Sequence, residues 1–125
     1  MKLAVSGMKE DELVARFIEI SIAQGEASET FETAKFNRLF DRKLKVFDEL
    51  RRREGDRRRL LFALYDYPNM QVRLNAAYAT YALDPAGATA VFEAIAASKH
   101  SPWAGDAGMT LSMLKKGTSQ LPNDP

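Results

Sequence analysis

The densest chemistry in the chain is a run of arginines: Arg51, Arg52 and Arg53, then Glu54-Gly55-Asp56, then Arg57, Arg58 and Arg59. Six guanidinium groups against two carboxylates make a local anion patch, suited to nucleic-acid phosphates or to an acidic protein surface. The plainer reading is a solvated helix end, where Arg51 to Arg53 complement the negative pole of a helix dipole. Arg57 to Arg59 fall in the first turn of the next helix, where positive charge is unfavourable, and that placement tilts the balance towards a function. Two facts weigh against nucleic acid. No aromatic ring is interleaved for base stacking, and a dedicated binder carries its basic surplus across the whole domain, whereas this chain has a formal net charge of +1.

A second group could make contacts. Tyr65, Tyr67, Tyr78, Tyr81 and Trp103 gather near the expected helix turns, and such rings bury large area at interfaces with little loss of entropy. Asn69, Arg73 and Asn75 lie among them. Arg73 can contact a ligand or bridge back towards Asp66 and the turn. Asn75 sits inside a helix, where an amide costs propensity, so it either bonds a turn carbonyl or faces a groove and reads a partner. The expected partner surface is therefore Tyr65, Tyr67, Asn69, Arg73, Asn75, Tyr78 and Trp103.

Catalysis finds little support. With no cysteine and one histidine, His100, there is no thiolate nucleophile, disulfide framework or histidine-rich metal cluster. The acids at Glu10 to Glu12 and at Glu26, Glu29 and Glu32 resemble solvated helix starts. None has the Glu-x-x-His spacing of a di-metal bundle. Gly105-Asp106-Ala107-Gly108 lacks the following Lys-Ser/Thr and the preceding strand of a phosphate loop. No enzyme activity, metal or cofactor is expected. An apolar share of 46% and a charged share of 28% fit a soluble, cytoplasmic protein, and no apolar run is long enough for a membrane.

All segments that would carry these groups read as helix. The first spans about residues 8–25, with Leu13, Val14, Phe17, Ile18 and Ile22 on one face and Gly25 as its stop. The second starts at Ser28 or Thr30 as N-cap and runs to Arg53, with Phe36, Leu39, Phe40, Phe47 and Leu50 buried. Asp56 caps a third, with Leu60, Leu61 and Leu64 inward and Pro68 closing it. Asn69 caps the fourth, whose inner face is Val72, Ala76, Ala79 and Leu83. Asp84-Pro85 opens the fifth, and the sixth runs from Trp103 to Lys116 before Gly117. The chain reads as one domain over 1–117 with a flexible tail over 118–125.

Pro68 and Pro102 mark two turns 34 residues apart, a spacing that suits repeated helical hairpins. Residues 56–98 resemble a HEAT-type repeat of the phycobilisome-lyase-like kind. With Lys35-Phe36-Asn37-Arg38-Leu39-Phe40-Asp41, the Asp66 to Ala77 segment and Ala104-Gly105-Asp106-Ala107-Gly108-Met109, the chain is similar to a bacterial family of small HEAT-like domains over about residues 9–117. The resemblance implies a right-handed two-layer stack of hairpins behind a longer N-terminal helix pair, and a binding role without catalytic residues. The expected function is a non-enzymatic protein-binding module, an adaptor or an immunity-type protein that neutralises a toxin. A nucleic-acid accessory role through Arg51 to Arg59 is the alternative.

Overall fold

The computed structural model describes residues 4–117; the expected tail over 118–125 lies outside them. The described chain is all-α: five α-helices and two 3-10 segments, with no strand among the described residues. Its contacts fall into two compact units divided between Leu60 and Leu61, where a single domain is expected.

The first unit is a helix pair. After a 3-10 turn at Val5–Gly7, α1 spans Glu10–Glu29 and packs along α2, Thr33–Arg52. Helix α1 runs past Gly25, the expected stop. Gln24, Gly25 and Ala27 are all buried, so packing holds the last turn helical against glycine's weak propensity. Thr30 therefore closes α1 instead of opening α2: its backbone N–H donates to the Glu26 carbonyl at 3.1 Å, and so does its hydroxyl. Phe31 then takes a left-handed conformation with φ 59°, and the chain turns into α2.

The buried row of α2 is Leu39, Val46 and Leu50, with Phe47 beside it. Phe40 is 42% exposed, which corrects its expected place inside. The row steps from Leu39 to Val46 through Lys43, one position from the apolar pattern, and the lysine stem fills that step. Burial lowers the Lys43 ammonium from 10.5 to about 8, although the Phe40 ring, 4.7 Å away, favours the charged form. A lysine whose folded value is depressed binds fewer protons than the unfolded chain between the two values. Urea stability should therefore rise with pH from about 8 towards 10.5, and Lys43→Met should flatten that rise.

Arg57–Leu64 is a 3-10 segment of eight residues, where an α-helix is expected. Three residues per turn align Arg58, Leu61 and Leu64, and all three are buried, while Leu60 is only partly so. That period carries Arg58 inward.

The second unit holds α3, Met70–Thr80; α4, Pro85–Ala97; and α5, Trp103–Lys116. The Asn69 side chain accepts from the N–H groups of Gln71 at 2.9 Å and Val72 at 3.1 Å, the expected cap. Asn69→Ala should cost about 1 kcal/mol in a urea unfolding curve, since both donors lose their acceptor. Asp84 caps α4 by accepting from Gly87 N–H at 3.0 Å. A Cβ at Gly87 would lie 2.0 Å from the Asp84 carboxylate, so only glycine leaves room for this cap. Gly117, at φ 74°, ends α5. Leu74, Ala77, Ala88, Val91, Phe92, Ile95 and Ala107 form the core of this unit. Val72 and Ala76 are inward as expected. The small side chains at Ala76, Ala77, Ala79, Ala88 and Ala107 leave little bulk between neighbouring helices.

Candidate functional site

The expected partner surface in the second unit is mostly a network of internal bonds. The Tyr65 hydroxyl lies 2.6 Å from Thr80 Oγ1, and the Thr80 hydroxyl donates onward to the Ala76 carbonyl at 2.7 Å. Tyr78 repeats the arrangement with Thr110 Oγ1 at 2.9 Å, and Thr110 donates to the Asp106 carbonyl at 3.0 Å. With each threonine proton committed to a carbonyl, each tyrosine is the donor to its threonine. Burial is the main cause that pushes both phenols above the usual tyrosine range. Neither is poised as a base.

Gln71, which the sequence reading passed over, is the hub. Its Nε2 donates to Asn75 Oδ1 and its Oε1 accepts from Trp103 Nε1, both at 3.0 Å, so one buried amide joins α3 to α5. Asn75 is 2% exposed, which corrects the expectation that it faces a partner. Arg73 Nε donates to the Tyr67 carbonyl and takes the bridging role to the turn. Tyr67, Asn69 and Trp103 stay half-buried at the surface. Gln71→Leu would remove the acceptor of the indole N–H and the donor to Asn75 Oδ1, at about 1–3 kcal/mol of stability. A shifted tryptophan emission maximum should report the freed indole.

The arginine block is likewise drawn into the first unit. Glu49, buried on α2, pairs with Arg52 and with Arg53, the latter at 2.8 Å. Arg53 also donates to the carbonyls of Met8 at 2.6 Å and Val5 at 3.2 Å, tying the N-terminal turn to α2. The Arg53 bond, with smaller help from Arg52, holds the Glu49 carboxyl below its ordinary value against the effect of burial. Arg57 pairs with Glu10 at 3.0 Å, and Arg59 Nε donates to the Gly55 carbonyl at 3.2 Å. Arg58 is fully buried, grips both oxygens of Asp56 at 2.8 and 2.5 Å, and lies 5.5 Å from the Phe47 ring centre. A guanidinium without exposure cannot reach a phosphate, so Arg58 leaves the expected patch. Arg51, half-buried, also has an internal interaction.

The exposed large apolar groups lie elsewhere: Phe31 at 89%, Phe40 at 42% and Leu44 at 40% in the first unit, and Met109 on α5. Phe40 and Leu44 are one turn apart on α2. The only local signal for Phe31 was its isolation between Thr30 and Glu32. His100 is exposed, in the turn before α5. Among the described residues no group of His, Cys, Asp and Glu is arranged to hold a metal ion, and no helix is long and apolar enough to cross a membrane.

Residues 11–115 match the family described as a domain of unknown function, DUF2019, and the chain belongs to that family. The chain is also similar to a solved structure, the crystal structure of the protein RPA1889 from Rhodopseudomonas palustris CGA009. The two are 44% identical with a TM-score of 0.88, over 95% of this chain and 98% of that one. No curated protein matches.

Proposed function

We propose that this chain is a non-enzymatic, HEAT-like protein-binding module, of adaptor or immunity type, acting in the cytoplasm. The observation that carries the reading is Phe31. The left-handed turn closes α1, with the Phe31 and Glu32 N–H groups donating to the Ser28 and Ala27 carbonyls at 3.3 and 2.9 Å. Such a cap favours glycine and gives no reason for a large ring standing in solvent. Residues held in this conformation cluster at functional sites. An exposed aromatic at the α1 to α2 corner, on the unit that also exposes Phe40 and Leu44, has the composition of an anchor that a partner pocket would cover. The half-buried rim of Tyr67, Asn69, Arg73 and Trp103 is then mainly scaffold. No observation favours the nucleic-acid reading, because each of the six arginines is engaged within the fold.

The test is affinity capture from the native host, followed by hydrogen exchange on the complex. The reading expects a retained protein that protects the amides around Phe31 and along Phe40 to Leu44. Protection confined to residues 70–116, or no protein retained, would overturn it.

A further inference from the structure

Helix α2 carries a second surface. Lys35, Arg38, Arg42 and Lys45 follow the i, i+3, i+7, i+10 spacing that places side chains in one row along a helix. All four are exposed. None makes an ion pair or side-chain hydrogen bond within the described residues, in contrast to the engaged arginines further along. The row works against its own helix. Lys35 stands in the first turn, at the positive end of the dipole, and consecutive members are like charges one turn apart. Helix stability does not account for it.

Arg42 also lines a cavity of about 150 Å³ between α1 and α2, facing Arg16 and Glu19 of α1 over a floor of Ile20, Ala23 and Leu39. Arg16 too has no ion-pair partner among the described residues. An apolar floor between two guanidinium groups suits a side chain that is apolar and flanked by acids. A phosphate backbone has no apolar side chain to seat on that floor.

We propose that the Lys35-Arg38-Arg42-Lys45 row with Arg16 is the docking surface for an acidic segment of a partner protein, one apolar side chain of which seats on Ile20 and Leu39. The row steers and orients the carboxylates, and the floor holds the anchor. This rests on the reading of the chain as a protein-binding module and names the chemistry of what it binds.

The probe is a short labelled helical peptide with glutamates in the matching spacing and one central leucine, titrated by fluorescence anisotropy against the full chain at low and moderate salt. Wild type should bind it. The fourfold Lys35→Gln, Arg38→Gln, Arg42→Gln, Lys45→Gln variant should bind about tenfold or more weaker. A peptide with the leucine replaced by alanine should also lose affinity several-fold, and one with lysines for glutamates should not bind, which keeps the test independent of any effect on folding. The proposal is overturned if wild type ignores the peptide, if the fourfold variant binds it equally well, or if duplex DNA displaces it at equal or lower concentration. A native partner that still protects Phe31 while the peptide fails would remove the basic row and leave the module standing. A bound peptide with no native partner retained would leave the row and remove the module.

Discussion

Asp56→Ala should remove about 3–5 kcal/mol of folding free energy, the usual cost of breaking a buried ion pair from one side. Arg58 has no exposure, so its charge cannot be rehydrated when the carboxylate is deleted. Asp56 is 20% exposed in its side chain, and so the reverse deletion, Arg58→Ala, should cost less through the charge and more through the lost volume. The pair is not a well-satisfied one, since Arg58 Nη1 is buried without a partner among the described residues. Replacing both members, Asp56→Ala with Arg58→Leu, should thus recover much of the loss. Arg59→Ala, an exposed neighbour, should stay within about 0.5 kcal/mol. Guanidinium unfolding followed by circular dichroism would rank the four variants. A single Asp56→Ala variant as stable as wild type would show that the guanidinium finds water or another acceptor.

The same pair sets a pH dependence. The hydrogen bond from Arg58 holds the Asp56 carboxyl below its ordinary 3.8, overcoming the opposing effect of burial. Such a group stabilises fully above its unfolded value, and the contribution fades as pH falls through the folded one. Glu49, held down by Arg53, has the same sign below its ordinary 4.5. Acid unfolding should therefore begin below about 4.5, and Asp56→Ala should shrink the acid limb as well as the stability at neutral pH.

Asn69, Asp84-Pro85 and Gly117 act within one turn of themselves, and the helices they bound lie where the local pattern puts them. Gly25 is the same kind of signal and fails, because burial on α1 outweighs a propensity difference of about 1 kcal/mol. The inward turn of Arg58 needs the three-residue period of its segment, which an α-helical reading of Leu60, Leu61 and Leu64 cannot contain. Asn75 and Tyr78 look like contact residues by type; the Tyr78 partner, Thr110, is determined by which faces of α3 and α5 meet, whereas Asn75 meets Gln71 one turn away on its own helix. The basic row of α2 was legible from spacing alone. It was overshadowed by the denser block from Arg51 to Arg59, where proximity in sequence meant proximity to internal partners.

Phe31→Gly should move stability and binding in opposite directions. A left-handed residue with a Cβ is strained by about 1–2 kcal/mol, and glycine removes that strain. The freer unfolded chain takes back up to about 1 kcal/mol, so a small net gain in stability remains. Almost no packing is lost, because the ring is 89% exposed. Binding to the captured partner should fall by about 2 kcal/mol or more, roughly 30-fold, as for a central aromatic anchor. Phe31→Ala separates the two effects: it keeps the strain and loses the anchor, so it should bind as poorly as glycine without the added stability. Phe31→Tyr keeps both and should bind nearly as wild type. Differential scanning calorimetry beside a binding titration reads both quantities on the same samples. A glycine variant that is more stable and binds unchanged would leave the left-handed turn as the cap of α1 alone and move the anchor elsewhere. A glycine variant that loses binding while gaining stability would mean that the phenylalanine at this corner is maintained for the partner, since glycine serves the α1 cap better.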